Sequence, residues 1–305
     1  MVMNMKKVLV TGGTVFVSRY VAEYYVQKGC DVYVLNRNHG VQSDGVKLLL
    51  ADRHALGDTL RPFHFDVILD MTAYTAEDVN DLLDAVGSYN DYILLSSSAV
   101  YPENAPQPFT EETPAGPNQF WRKYGTDKTA AEEALVKRVP NAYILRPPYL
   151  YGPMNNVYRE AFVFECALKE RAFYLPKDGR MNLHFFHVHD LCLFMDILLE
   201  QKPKQHIFNV GNAETITVRD WVSLCYQTAG KPVSFIEVNS GIEQRKYFSF
   251  YDYDYRLDIR KQKAFMPVTK TLEEGLQESF AWYLANSEKV NRKPFIDYID
   301  EHLAP

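Results

Sequence analysis

Val8-Leu9-Val10-Thr11-Gly12-Gly13-Thr14-Val15-Phe16-Val17-Ser18 is the stretch on which the fold of this chain turns. The apolar, β-branched run from Lys7 to Thr11 predicts a strand, and two glycines end it. From Val15 to Lys28 apolar residues recur at helical spacing and stop at Gly29, a natural helix cap, before Asp31–Asn36 predicts a second strand. A glycine pair between strand and helix suits a turn that must bend sharply and bring backbone N–H groups at a helix start close to a phosphate. Gly12, Gly13, Thr14, Val15 and Phe16 are therefore candidate residues for holding a dinucleotide.

Working outward, strands are predicted at 46–51, 65–70 and 92–96, with a helix between the last two that Thr75 caps. Residues 101–118 are Pro-rich and polar, which predicts a loop over the strands' carboxyl ends. A helix over 120–139 ends at Pro140, and 142–146 predicts a sixth strand. Beyond 150 come predicted helices near 156–169, 190–200, 217–229 and 271–286, a strand near 185–188, and a strand at 206–210 able to return to the main sheet. Alternating strands and helices predict an α/β chain: a Rossmann-type doubly wound parallel sheet with a smaller, interleaved C-terminal α/β region for substrate. The expected division is a dinucleotide-binding part over 1–150, with 185–215 returning to it, and a mainly substrate-binding part over 151–305.

Bulk composition narrows the function. The 305 residues are 47% hydrophobic, enough for a large core, and the net charge of −6 argues against a broad nucleic-acid surface. Cys30, Cys166, Cys192 and Cys225 lie far apart with no C-x-x-C pair, so free thiols in a reducing compartment and no metal are expected. With no signal peptide and no long apolar run, a soluble cytoplasmic protein without a membrane partner is expected.

Tyr124-Gly125-Thr126-Asp127-Lys128 puts a phenol and an ammonium on one helix face, four residues apart. A fixed positive charge favours the phenolate and would turn a weak base into a useful one. Ser96, Ser97 and Ser98 follow a predicted parallel strand, at the edge where such sheets bind ligands. Strand alternation leaves both Ser97 and Ser98 as candidates for the hydroxyl that faces the site.

The Thr-Gly-Gly turn, Ser-Ser-Ser-Ala-Val-Tyr101, Tyr124-x-x-x-Lys128, Leu145-Arg146-Pro147-Pro148-Tyr149-Leu150-Tyr151-Gly152-Pro153, His187-Val188-His189-Asp190 and Phe208-Asn209-Val210-Gly211 stand in one order. In that order the chain resembles extended short-chain dehydrogenases/reductases of the NAD-dependent epimerase/dehydratase family. Its glycine turn and Asp52-Arg53 resemble the branch containing chloroplast stem-loop-binding proteins and bacterial relatives. The resemblance implies that Tyr124 is the general acid/base, that Lys128 holds the nicotinamide ribose and polarises Tyr124, and that a serine orients the substrate, counting favouring Ser97. It also places Asn36, Arg37, Asp52, Arg53 and Pro147 around the cofactor. Two positions depart from the family's G-x-x-G-x-x-G: Val15 takes the second glycine's place and Ser18 the third's. No acidic residue ends the second strand at Asn36-Arg37, so either NAD or NADP is expected, Arg37 leaning toward the 2′-phosphate of NADP.

The implied activity is an NAD(P)-dependent epimerase or related oxidoreductase acting on a nucleotide sugar, with a homodimer as the assembly to test. The alternatives are a simple carbonyl reductase and a non-catalytic nucleotide- or RNA-associated protein on the same fold. Three further features are open between site and scaffold: the histidines at 184, 187 and 189; the aromatic run Tyr247–Tyr255; and Arg146, Asn155 and Arg159 as candidates for a substrate phosphate.

Overall fold

The structure is a computed structural model and describes residues 5–239 and 241–304. Strand β1 (Lys7–Thr11) leads through α1 (Phe16–Gln27) to β2 (Asp31–Asn36) and the edge strand β3 (Lys47–Leu50). The chain crosses back to β4 (His64–Asp70), then α2 (Ala76–Ala85), β5 (Ser88–Leu95), α3 (Arg122–Arg138) and β6 (Tyr143–Arg146). These strands and β11 (Ile207–Asn209) form one sheet in the order β11-β6-β5-β4-β1-β2-β3, with every pairing parallel. Strand order reverses at β1, and the crevice between the carboxyl ends of β1 and β4 is the ligand position of such sheets.

The central strands are apolar on both sides over their buried lengths because both faces are covered. In β1, Val8 and Val10 pack toward α1 and toward α5 (Val188–Gln201), while Leu9 packs toward α2 and α3. Helix α2 starts at the Thr75 cap that the sequence foretold, and Asp78 returns the bond to the Thr75 backbone. Helix α3 starts two residues later than the pattern suggested. Asn118 Oδ1 accepts bonds from the N–H groups of Phe120 (2.9 Å) and Trp121 (3.2 Å), so those residues form the entry turn. Strand β5 begins four residues earlier than expected. Polar Ser88–Asp91 carries no strand signal, yet pairs in register with His64–Val67.

The remaining elements build the smaller region. They are β7 (Tyr149–Tyr151), α4 (Glu160–Leu168), β8 (Phe173–Pro176), β9 (Asn182–Leu183), β10 (Phe185–His187), β12 (Ile216–Thr217), α6 (Val218–Thr228), β13 (Phe235–Val238), α7 (Arg260–Phe265), α8 (Leu272–Asn286) and α9 (Phe295–His302). An aromatic core holds them together, with Phe162, Phe164, Phe173, Phe185, Trp221, Phe250 and Phe295 among its buried rings. Two pairings span long separations: β10 beside β7 and β13 beside β8, both parallel. No helix of the described residues is long and apolar enough to cross a membrane.

Candidate active site

The glycine turn lies between two cavities. One, of about 500 Å³, is walled by Val15–Ser18, Thr72, Tyr74, Ser96–Ser98, Trp121, Tyr124, Lys128 and Pro147–Leu150. The other, of about 260 Å³, is walled by Gly12, Asn36, Arg37, Asp52 and Arg53 and shares Thr72 with the first. Gly12 and Gly13 sit at φ +90° and +94°, where L side chains are strained. A Cβ on Gly12 would also fall 2.8 Å from both Ser18 Oγ and Thr72 Cγ2, and one on Gly13 2.6 Å from Val34 Cγ1. Ser18 is small enough for the third glycine's place, and its hydroxyl donates to the Val15 carbonyl (3.0 Å). Val15 is 52% exposed at the lip and leaves the cleft open. No side chain caps α1 and no acidic residue occupies its first turn, so the chain leaves the helix's positive end for an outside anion. These features fit a dinucleotide with its pyrophosphate at the α1 start.

Tyr124 and Lys128 share a face of α3 and both line the larger cavity. Gly125 lets the helix come this close: a Cβ there would stand 2.3 Å from the Ala99 carbonyl oxygen. Tyr124 is 40% exposed, whereas Lys128 is 3% exposed and donates to the carbonyls of Ala73 and Leu95, both at 2.8 Å. The Tyr74 ring covers the ammonium at 4.7 Å and lies 6.1 Å from the Tyr124 ring. Burial pushes the Lys128 ammonium down to about 8.

Burial raises the Tyr124 phenol above its ordinary value, with Ser97 and Arg159 opposing the shift. Beneath Tyr74, two of the three N–H donors of the Lys128 ammonium go to backbone carbonyls.

The serines separate as strand alternation demands. Ser96 donates to Glu132, and Ser98 Oγ to Tyr255 Oη (3.2 Å), both buried. Ser97 shares the cavity wall with Tyr124, and its hydroxyl accepts from the Ala99 N–H (3.1 Å).

Around the smaller cavity, Asn36 donates from Nδ2 to the Gly12 carbonyl (2.7 Å) and so ties β2 to the turn. Arg37 faces Asp52 at 3.6 Å, both exposed, and Asp52 caps the following short 3-10 turn through the His54 N–H (3.0 Å). Arg53 behaves differently. Its Nη2 meets buried Asp70 at 2.6 Å, Nε donates to the Asp78 carbonyl (3.0 Å) and Nη1 to Thr72 (3.3 Å). Asp70 also accepts from Thr11 (2.8 Å) and Tyr92 (2.5 Å), so Arg53 completes a buried network under the site. The Pro147 carbonyl accepts from the Ser98 N–H (2.9 Å), holding the serine turn.

The open features resolve mostly toward scaffold. His184 bonds the Asn212 carbonyl (2.9 Å), His187 caps α5, and His189 meets Tyr20 (3.3 Å). Arg146 is ion-paired to buried Glu132 at 2.5 Å, and Asn155 donates to Glu160 (2.8 Å). Of that trio only Arg159 lines the cleft. In the aromatic run, Tyr247, Phe248, Phe250, Tyr253 and Tyr255 are buried, Tyr247 and Tyr251 wall a third cavity, and Tyr255 stands in the wall of the Tyr124 cavity. The sequence reading missed Tyr74 and Trp121, whose only signals were a position four residues past a strand and a place in a helix entry turn.

A model of the family described as "NAD dependent epimerase/dehydratase family" matches residues 8–211. The chain belongs to this family. Among curated members, it is 26% identical to the Arabidopsis thaliana "Chloroplast stem-loop binding protein of 41 kDa b, chloroplastic" over 90% of this chain and 78% of that protein. It is 24% identical to a UDP-glucose 4-epimerase of Corynebacterium glutamicum, covering 74% of this chain and 82% of that one. Among solved structures, the UDP-glucose 4-epimerase of Thermotoga maritima superposes with a TM-score of 0.75 at 19% identity, covering 92% of this chain and 99% of that one. The Bacillus cereus UDP-glucuronic acid 4-epimerase, solved with UDP-glucuronic acid and NAD, gives 0.72 at 19% identity over the same shares. These structural likenesses show a shared fold. An epimerase/dehydratase family member carries the α/β fold expected from the glycine turn.

Proposed function

We propose that this family member is an NAD(P)-dependent epimerase or related oxidoreductase of a nucleotide sugar, with Ser97, Tyr124 and Lys128 at its reactive centre. The observation that carries the reading is the shared cavity that sets Tyr124, Ser97 and Lys128 opposite the uncapped start of α1. Gly12, Gly13, Thr14, Val15 and Phe16 would hold the pyrophosphate, and Asn36, Arg37 and Asp52 the adenosine end. When bound, the dinucleotide supplies hydride acceptance and return. Tyr124 exchanges a proton with the substrate oxygen, and burial favours the neutral phenol, the proton-donating form. Ser97 lies against that phenol and orients the oxygen. Lys128 holds the ribose end from below, and Ser98 supports the turn through Tyr255.

The test is incubation with NAD and with NADP against a panel of nucleotide sugars, following sugar configuration and cofactor redox state together. Inversion with no net change in cofactor is the expected result, net consumption of reduced cofactor identifies the carbonyl reductase, and no conversion at all refutes the reading. A stem-loop-binding relative motivates the RNA-associated alternative, which requires RNA affinity that falls steeply with salt.

Two further results are expected. The alkaline limb of kcat/KM should lie near pH 8, where the Lys128 ammonium is lost. Folding stability should move oppositely: a lysine whose folded value is depressed below its unfolded value near 10.4 makes the fold more stable as pH rises between the two. Lys128→Met should remove both trends in pH-rate and urea-unfolding series. At the adenosine end, Asp52→Asn should release Arg37 for a 2′-phosphate and shift relative affinity toward NADP. Paired titrations with both cofactors read this directly, and an unchanged preference removes Arg37 from that role.

A further inference from the structure

Lys128 carries an ammonium held almost out of water, 3% exposed. A buried ammonium is costly unless its three N–H donors are placed. Two of them reach the Ala73 and Leu95 carbonyls, both at 2.8 Å. The third has no nitrogen or oxygen acceptor among the described residues, and the Tyr74 ring stands over the ammonium with its centroid 4.7 Å from Nζ. That distance lies inside the roughly 6 Å over which a ring face attracts a cation. Consecutive residues thus grip one ammonium, Ala73 through its carbonyl and Tyr74 through its ring.

The backbone aims that ring. The Tyr74 N–H donates to Asp78 Oδ2 (2.8 Å), the same oxygen that takes the Thr75 N–H (2.8 Å), so the cap of α2 fixes where the ring hangs. The ring is half exposed, walls the cavity of Tyr124 and Ser97, and lies 6.1 Å from the Tyr124 ring. A ring so placed shields the ammonium from the water of the cleft. The charged groups around Lys128 are Asp70 at the end of β4, Glu132 one turn on in α3, Asp78 in the first turn of α2, and Arg53. Each is engaged elsewhere: Asp70 with Arg53, Glu132 with Arg146, and Asp78 with the N–H groups of Tyr74 and Thr75.

We propose that Tyr74 is a positioning residue for Lys128: its ring closes over the ammonium, keeps water from it and takes its third donor. The proposal rests on the oxidoreductase reading for the use of Lys128 in the chemistry, and on Tyr74, Ala73 and Leu95 alone for the state of the ammonium. The ring acts in two opposed directions. As a cover it disfavours the charge, and as a π face it favours it. Burial is the leading cause of the lowered Lys128 value, so the cover prevails. Replacing the ring by open space and by an aliphatic cover must therefore move Lys128 in opposite directions, and through Lys128 the ring sets the upper pH limit of the site.

The test is competitive acetylation of the full chain with acetic anhydride between about pH 6 and 11, with the Lys128 peptide quantified by mass spectrometry so that its titration is read without turnover. The unsubstituted chain should give a midpoint of about 8. Tyr74→Ala should raise the midpoint by about one to two pH units, toward the ordinary lysine value near 10.4, and Tyr74→Leu should lower it. Tyr74→Phe keeps both cover and face and should match the parent. A Phe variant that departs from the parent, or Ala and Leu variants that move alike or not at all, overturns the proposal. Should the Ala variant not fold, the Leu and Phe variants decide: midpoints that differ sustain it, and equal ones overturn it. With a sugar that is converted, the alkaline limb of kcat/KM should move in the same order. Conversion that persists while the Lys128 midpoint ignores residue 74 leaves the oxidoreductase reading standing and sinks this proposal alone; a midpoint that moves as stated with no sugar converted does the reverse.

Discussion

Tyr124→Phe is expected to lower turnover by about 10²- to 10⁴-fold, the usual contribution of one positioned acid/base group. The fold should scarcely notice. Tyr124 is 40% exposed and its ring packs at a tilt against Tyr74 and Trp121, contacts that phenylalanine keeps. Cofactor affinity should also persist, since the glycine turn and the α1 start are untouched. The discriminating measurement is therefore a set of three: steady-state rate, NAD affinity by fluorescence titration, and melting midpoint. A rate that survives the loss of the hydroxyl would remove Tyr124 from the chemistry. A collapse of all three together would show a structural defect and leave the role of the phenol to Ser97→Ala, for which a smaller loss of rate at constant stability is expected.

The second large effect is on stability. Arg53→Met leaves Asp70 buried at 0% exposure with its main positive partner gone, and breaking such a pair from one side costs about 3–5 kcal/mol. Urea unfolding should show this as a lower midpoint with unchanged slope. Adding Asp70→Asn to Arg53→Met should recover part of the loss, because the uncompensated charge is removed. The sign with pH follows from the carboxyl. Arg53, Tyr92 and Thr11 hold Asp70 below its ordinary value against the effect of burial. A depressed carboxyl stabilises the fold above its unfolded pKa near 3.9, and the contribution disappears as pH falls through the folded value. Acid unfolding of the intact chain should thus steepen below about pH 4, and the Arg53→Met variant should lack that component. Were Arg53 instead an anchor of the cofactor, NAD affinity would fall while the urea midpoint held.

Arg53 also shows where reading residues in order stops short. Asp52-Arg53 follows a strand at the cofactor end of the sheet, which made both candidates for the rim. Only their three-dimensional neighbours separate them: Asp52 is exposed beside Arg37, and Arg53 turns inward to Asp70, seventeen residues away. The serines make the same point. Three hydroxyls in a row are equivalent in sequence and all three residues wall the cleft, but the bend after β5 gives the Ser96 hydroxyl to Glu132 and that of Ser98 to Tyr255, leaving that of Ser97 without a side-chain acceptor among the described residues. Spacing of four residues guarantees that Tyr124 and Lys128 share a helix face, but only the structure shows that the carbonyls of Ala73 and Leu95 take two of the ammonium's donors.

What the amino-acid order determined by itself was everything set by near neighbours: the apolar strands, the glycine turn with its left-handed backbone, the Thr75 cap of α2, the stop at Pro140, and the alternation that makes a parallel sheet. Those signals are local because backbone sterics and capping bonds act within a few residues. Tertiary structure alone decided the parallel pairing of β8 with β13, the polar start of β5, the C-terminal helix α9, and the burial of Arg53 against Asp70. Each of these depends on surfaces brought together from distant parts of the chain, where burial sets the strength of a hydrogen bond or a charge, and no short stretch of residues encodes that burial.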